Sequence, residues 1–285
     1  MTSIAHDGAA SSGRAARTRR VARPGALTVG AGIAFGIGMI WFSLLVLIPL
    51  SAVVVKSIDG GWDTYWNTIS NPQTWAAIKL TVKQALLVTA MNVVMGTLVA
   101  WVLVRDDFFG KRALEVLIDV PFALPTIVAG LVLLSLYGPQ SPLGINVANT
   151  ERAVFLALAF VTVPFVVRTV QPVLEELDPE VEEAAASLGA SRFTTFRRIV
   201  LPSLAPAIGA GAALSFARAI SEYGSLVLLS GNLALKTEVT SVRILTYIEN
   251  GNLAAAAAVA STLLVIALVV IVLVDVAQRR VARRD

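Results

Sequence analysis

Between residues 24 and 55 the chain carries no charged side chain. A run this long and this apolar exceeds the core of a cleaved signal peptide and reads as a retained membrane anchor. A spanning helix needs about 20 apolar residues, because lipid offers no partner for backbone N–H and C=O groups. Five further stretches qualify: 80–104, 114–137, 153–170, 204–230 and 253–274. The expected fold is all-α, a polytopic membrane protein with six transmembrane helices. Charged residues make up 15% of the chain, where a soluble domain carries about 25%, as expected for a surface that faces lipid. Cysteine is absent and His6 is the only histidine. That removes disulfides, a thiol nucleophile and the usual zinc ligands, so neither a catalytic residue nor a metal site is expected.

Six spans put both termini on one side, and Lys/Arg placement says which. One set of connecting segments holds Arg14, Arg17, Arg19, Arg20, Arg23, Arg105, Lys111, Arg112, Arg168, Arg192, Arg197, Arg198, Arg279, Arg280, Arg283 and Arg284. The opposite set holds only Lys56, Lys79, Lys83, Arg152, Lys236 and Arg243. Both termini are therefore assigned to the cytoplasm. A five-span arrangement would leave one arginine-rich tail outside. The same placement accounts for the net charge of +4 as a topology signal rather than a nucleic-acid surface. The expected organisation is a disordered cytoplasmic tail (1–25), a six-helix transmembrane domain (26–278) and a short cytoplasmic tail (279–285). Trp62, Tyr65, Trp66 and Trp75 on the external side read as an interfacial aromatic belt.

The segment 171–203 is the largest cytoplasmic loop. Asp178 followed by Pro179 is a helix-start pattern, with Glu180, Glu182 and Glu183 placed where the helix dipole favours anions. Ala184, Ala185 and Ala186 favour helix, and Gly189 suits a left-handed C-terminal turn. Ser191 can cap a second short helix, with Arg197 and Arg198 at its far end and Pro202 expected to stop it. Leu188, Phe193, Phe196, Ile199 and Leu201 are more apolar than a solvated connector needs. Two readings fit these residues: a surface element that merely joins two spans, or a docking element for a cytoplasmic partner.

A family resemblance favours the second. Glu183-Ala184-Ala185, three residues, Gly189, nine residues, then Ile199, Leu201 and Pro202 resembles the EAA motif of binding-protein-dependent ABC importer permeases in both identity and spacing. The segments 119–126 (DVPFALPT), 163–177 (VPFVVRTVQPVLEEL), 215–224 (SFARAISEYG) and 230–241 (SGNLALKTEVTS) resemble the sulfate/thiosulfate branch, T-type subunits in particular. The likeness runs from the first span onward, with Tyr223 standing where phenylalanine is more usual. It implies the type I ABC importer permease fold, a coupling helix seated in an ATPase groove, and Glu183, Ala184, Ala185, Gly189, Ile199, Leu201 and Pro202 as ATPase-coupling residues. It also implies two ATPase subunits, a second homologous permease and an external sulfate-binding protein as partners. No G-x-x-x-x-G-K-[ST] sequence is present, so the chain is expected to bind no cofactor; ATP and Mg belong to the partner ATPase. A molybdate or tungstate importer is the alternative, since both cargoes are tetrahedral dianions. A membrane-embedded enzyme or an ion-gradient carrier are the rivals from other classes.

Two charges fall within the fifth expected span. Arg218 and Glu222 are four apart, so they can pair on one helix face, and Ser215 shares that face. An arginine inside a bilayer costs about 2.5–3.5 kcal/mol on insertion scales and must face protein or water. Ser215, Arg218 and Glu222 are therefore candidates to line the translocation path, or else a pair that fixes packing. Pro121, Pro125 and Pro164 are expected to kink spans three and four, as a gate or as ordinary packing.

Overall fold

The computed structural model describes residues 29–282, and the tail 1–25 lies outside them. Every regular element among the described residues is helical. The chain divides into two compact units, 1–49 and 50–285. The described part of the first is one apolar helix: α1 (Val29–Phe42), a π-helical turn (Ser43–Leu47) and the start of α2 (Ile48–Ile58). The second unit continues with α3 (Gly61–Ser70), α4 (Pro72–Arg105), α5 (Lys111–Ala123), α6 (Thr126–Tyr137) and α7 (Glu151–Glu176). The loop 171–203 holds α8 (Pro179–Ser187) and α9 (Arg192–Thr195), followed by a second π-helical turn (Phe196–Val200). The chain closes with α10 (Leu201–Ile220), α11 (Gly224–Leu229), α12 (Thr240–Glu249) and α13 (Leu253–Ala282).

Among the described residues five helices are long and apolar enough to cross a membrane, and a sixth span is made if α5 and α6 are taken together. The longest, α4, is capped by the Asn71 side chain, which accepts from the Gln73 and Thr74 N–H groups, with Pro72 in the first turn. Its 34 residues reach about 51 Å at 1.5 Å per residue, well beyond a hydrocarbon core of about 30 Å. α4 therefore carries Arg105 out of the bilayer toward α8. In the core, α7 packs between α4 and α10, and α10 packs also against α13.

Two expectations about prolines are corrected. The third span is not a straight helix with kinks: α5 and α6 meet at 117°. Pro121 sits inside α5 without ending it. Pro125 makes the break, because it has no N–H to continue the ladder and forces Leu124 before it into an extended conformation (φ −89°, ψ 133°). The second correction concerns Pro202, which does not end a separate short helix. The helix runs on from Arg192 to Ile220. The π-helical turn just before Pro202 is the reason. The Leu201 N–H reaches back five residues to the Phe196 carbonyl, and the wider turn makes room for a ring that would otherwise crowd the carbonyl of residue 198. The same device recurs in the first apolar helix, where the Ile48 N–H bonds the Ser43 carbonyl one residue before Pro49.

The fifth span also ends earlier than its hydropathy suggests. It stops at Ile220 rather than near residue 230, and α11 follows as a separate piece. α11 lies against α6 with the backbones nearly touching. A Cβ on Gly224 would stand 2.2 Å from the Thr126 hydroxyl and 2.8 Å from the Ile127 nitrogen, and one on Gly130 would stand 2.8 Å from the Ser225 carbonyl. The break in span three thus abuts the break in span five. Gly224→Ala is expected to force α6 and α11 apart and to destabilise the protein by about 1–3 kcal/mol. A thermal-unfolding series in detergent reads this, and an unchanged midpoint would show that the two helices need not be so close.

Candidate functional site

The loop 171–203 is built by its caps. The Asp178 carboxylate accepts from the Glu180 N–H at 2.9 Å and Pro179 opens α8. At the other end Gly189 has φ +84°. Its N–H bonds the Ala186 carbonyl at 2.9 Å and the Ala190 N–H bonds the Ala185 carbonyl at 3.0 Å. This crossed pair is a Schellman turn, and a left-handed residue at its pivot favours glycine. Ser191 then caps the next helix, its hydroxyl accepting from the Thr194 N–H at 3.2 Å. The result is a protruding tip. Leu188 is 90% exposed and Phe193 70% exposed, on either side of the Gly189 turn. Glu183 and Ala184 are exposed as well, and Ala185 is half-buried.

The remaining residues of the motif lie apart from that tip. Ile199 is in the π-helical turn, and Leu201 and Pro202 open α10. Val200 and Leu204 beside them are buried in a cluster with Ala100, Leu103, Val166, Val167, Val170 and Leu174. Glu183 to Gly189 therefore forms the presented surface, while Ile199, Leu201 and Pro202 form its root in the spans.

The loop is also tied back to α4, which hydropathy does not indicate. The Arg105 guanidinium, 5.5 Å from the Trp101 ring centroid, pairs with the Glu182 carboxylate. Trp101 in turn meets Phe196 edge-on at 5.5 Å. A cleft of about 380 Å³ opens here, lined by Arg105, Glu182, Glu183, Ala186 and Arg192 among others. A second cross-helix tie joins α7 to α5: Arg168 on α7 grips Asp119 on α5 with Nε–Oδ1 at 2.8 Å and a second bond at 2.5 Å. Asp119 thus bonds protein.

Ser215, Arg218 and Glu222 do not form one polar face on a continuous span. Arg218 is in the last turn of α10, and Glu222 lies in the joint before α11. The two pair at 2.6 Å, with the Glu222 side chain fully buried and that of Arg218 31% exposed. The carboxylate also accepts from the Ser225 N–H at 2.9 Å and its hydroxyl at 3.0 Å, so Glu222 fastens α11 to the end of span five. Ser215, three residues before Arg218 on α10, has partners of its own. It is buried and accepts from the Asn92 amide at 3.1 Å, and the same amide donates to Thr162 at 2.7 Å. Asn92 therefore joins α4, α7 and α10 in the centre of the bundle. A lone asparagine in an apolar run was the only sequence signal for it.

Residues 92–284 match the family model described as binding-protein-dependent transport system inner membrane component. The sulfate transport system permease protein CysT of Salmonella typhimurium is 44% identical over 90% of this chain and 95% of its own length. The CysT of Escherichia coli K12 is also 44% identical over the same shares, and that of a Synechocystis strain 41% identical over 85% of this chain and 87% of its own. Among solved structures, a bacterial ABC transporter that imports the acidic polysaccharide alginate superposes with a TM-score of 0.71 at 17% identity, covering 87% of this chain and 96% of that one. The same kind of transporter in complex with an alginate pentasaccharide-bound periplasmic protein also scores 0.71, at 18% identity, covering 88% of this chain and 94% of that one. The fold is that of an ABC importer permease.

Proposed function

Because the chain belongs to the family of binding-protein-dependent transport system inner membrane components, we propose that it is the permease subunit of an ATP-driven importer that carries sulfate across the cell membrane. It is a transport subunit and not an enzyme. Sulfate transport permeases at 41–44% identity over most of the chain are the observation that carries the cargo, and they favour sulfate over molybdate or tungstate. Thiosulfate, with the same charge and near-tetrahedral shape, is the expected second cargo.

Transport proceeds by alternating access, driven by two ATPase subunits that hold ATP and Mg. A second, homologous permease completes the pathway and an external sulfate-binding protein delivers the anion; the likeness to an importer solved with its periplasmic protein supports that partner. Both termini face the cytoplasm, as the arginine bias argues. The protruding tip from Glu183 to Gly189, with Leu188 and Phe193 bare beside it, is the shape expected of a plug that fills a groove on the ATPase. Glu183 is its free charge, suited to a basic group there. At the other site Arg218 offers a partly exposed positive charge to the passing dianion. The pairing with Glu222 weakens that attraction, which suits a waypoint, since an anion held tightly midway would not leave.

Uptake of radiolabelled sulfate in a strain lacking its own permease tests the reading. Expression of this chain with its cognate partners should restore sulfate uptake and leave molybdate uptake unchanged. Restored molybdate uptake with no gain for sulfate would overturn the cargo. Uptake that survives inactivation of the partner ATPase would overturn the ATP-driven mechanism in favour of an ion-gradient carrier.

A further inference from the structure

Helix α8 buries none of its own residues. Packing alone therefore does not set its angle to the spans. Among the described residues its single ion pair runs from Glu182 to Arg105, the last residue of α4. The two side chains are 24% and 27% exposed, too shielded for an ordinary surface pair, whose partners move freely in water. Arg105 is itself confined. Its guanidinium stands 5.5 Å from the Trp101 ring centroid, and its Nε is buried without an acceptor. The Glu182 carboxylate is thus its anchor.

The contact does not end at Arg105. Trp101 meets Phe196 edge-on, and Phe196 is the first residue of the π-helical turn that leads into α10. α8 is consequently linked to two spans at once: through the chain to α10, and through Arg105 to α4. α4 is an unbroken helix of 34 residues that packs along α7. A displacement of α8 passed to its end would move the whole rod, because a hydrogen-bonded helix transmits motion along its axis with little loss. The two neighbouring glutamates have separate tasks in this arrangement. Glu183 is exposed at the mouth of the cleft, whereas Glu182 is paired with its own protein.

We propose that Arg105 is a positioning residue for transport: resting over Trp101 and holding Glu182, it conveys the movement of α8 to span two, so that ATP hydrolysis moves α4 and α10 together. This rests on the reading of α8 as the ATPase-docking helix. The pair is therefore needed for coupling and not for docking. Arg105→Gln and Glu182→Gln should each leave the ATPase bound, while the sulfate imported per ATP hydrolysed falls about tenfold, the factor expected for loss of one partly shielded charge pair.

The test uses the full complex, permeases, ATPases and binding protein, reconstituted in liposomes. Three quantities are read: ATPase retained on purification, ATP hydrolysed and sulfate imported. The exchange Arg105→Glu with Glu182→Arg should recover most of the ratio lost in either single variant, because the attraction is restored with its ends swapped. An unchanged ratio in Arg105→Gln would overturn the proposal, as would an exchange no better than the single variants. Loss of ATPase retention in Arg105→Gln would also overturn it, by making Arg105 part of the docking surface. Gly189→Asp, run alongside, separates the two claims. If it transports normally the docking reading fails, and if it fails while Arg105→Gln matches the unmodified protein only the positioning role is lost.

Discussion

Gly189→Asp is expected to abolish sulfate uptake, by about 100-fold or more, while the protein still inserts in the membrane at normal level. The backbone accounts for little of this. Gly189 has φ +84°, and a residue with a Cβ there costs about 1–2 kcal/mol, with aspartate among the better tolerated. Nothing stands within 4 Å of a Cβ at that position, so no clash adds to it. The main effect is electrostatic. The turn is the tip of the presented surface, flanked by Leu188 at 90% exposure and Phe193 at 70%. Seating that tip in a partner groove would take a new carboxylate out of water with no cation prepared for it, at a cost of several kcal/mol. At 1.4 kcal/mol per factor of ten, association falls by about two orders of magnitude or more. Gly189→Ala, which shares the backbone strain without the charge, should lose far less. Uptake by the aspartate variant at the unmodified rate, with normal membrane levels, would remove the docking role from this loop.

The second large effect is at the joint after span five. Arg218→Ala should stop most sulfate uptake, but alone it tells little. It leaves the Glu222 carboxylate, whose side chain is fully buried, without its cation, and removing one partner of a buried pair costs about 3–5 kcal/mol. The informative variant is Arg218→Ala with Glu222→Gln. A glutamine can still accept from Ser225 through the oxygen that receives both its N–H and its hydroxyl, so α11 stays fastened. If Arg218 attracts the passing dianion, this double variant is stable and still transports at least about tenfold more slowly, the factor for an exposed charge–dianion contact of about 1.4 kcal/mol. If it carries sulfate at the unmodified rate and melts near the unmodified temperature, Arg218 serves packing alone.

The local signals in the chain were reliable where the physics is local. Apolar runs located the spans because each helix must satisfy its own backbone in lipid. Asp178–Pro179, Gly189 and Ser191 marked the ends of α8 and the start of the next helix because capping involves neighbours within five residues. Pro202 misled for a related reason. A proline weakens its own helix, yet a single π-helical turn absorbs it, and nothing in the residues before Pro202 announces that turn. Hydropathy similarly ran past Ile220, because α11 is as apolar as a continuing span although it is a separate piece.

The remaining features depend on contacts between residues far apart in the chain. Arg168 meets Asp119, Asn92 meets Thr162 and Ser215, and Arg105 meets Glu182. Each needs two helices brought to one depth with one rotation, which the packing of whole spans sets and no local window contains. The sequence by itself therefore determined that this is a membrane protein of about six spans with a capped helix–turn–helix loop between spans four and five, since burial in lipid and capping are decided residue by residue. Only the tertiary structure decided that span three is broken at Pro125, that Ser215 is bonded into the Asn92 network while Arg218 pairs with Glu222, and that α8 is fastened to α4, since those are properties of how the helices meet.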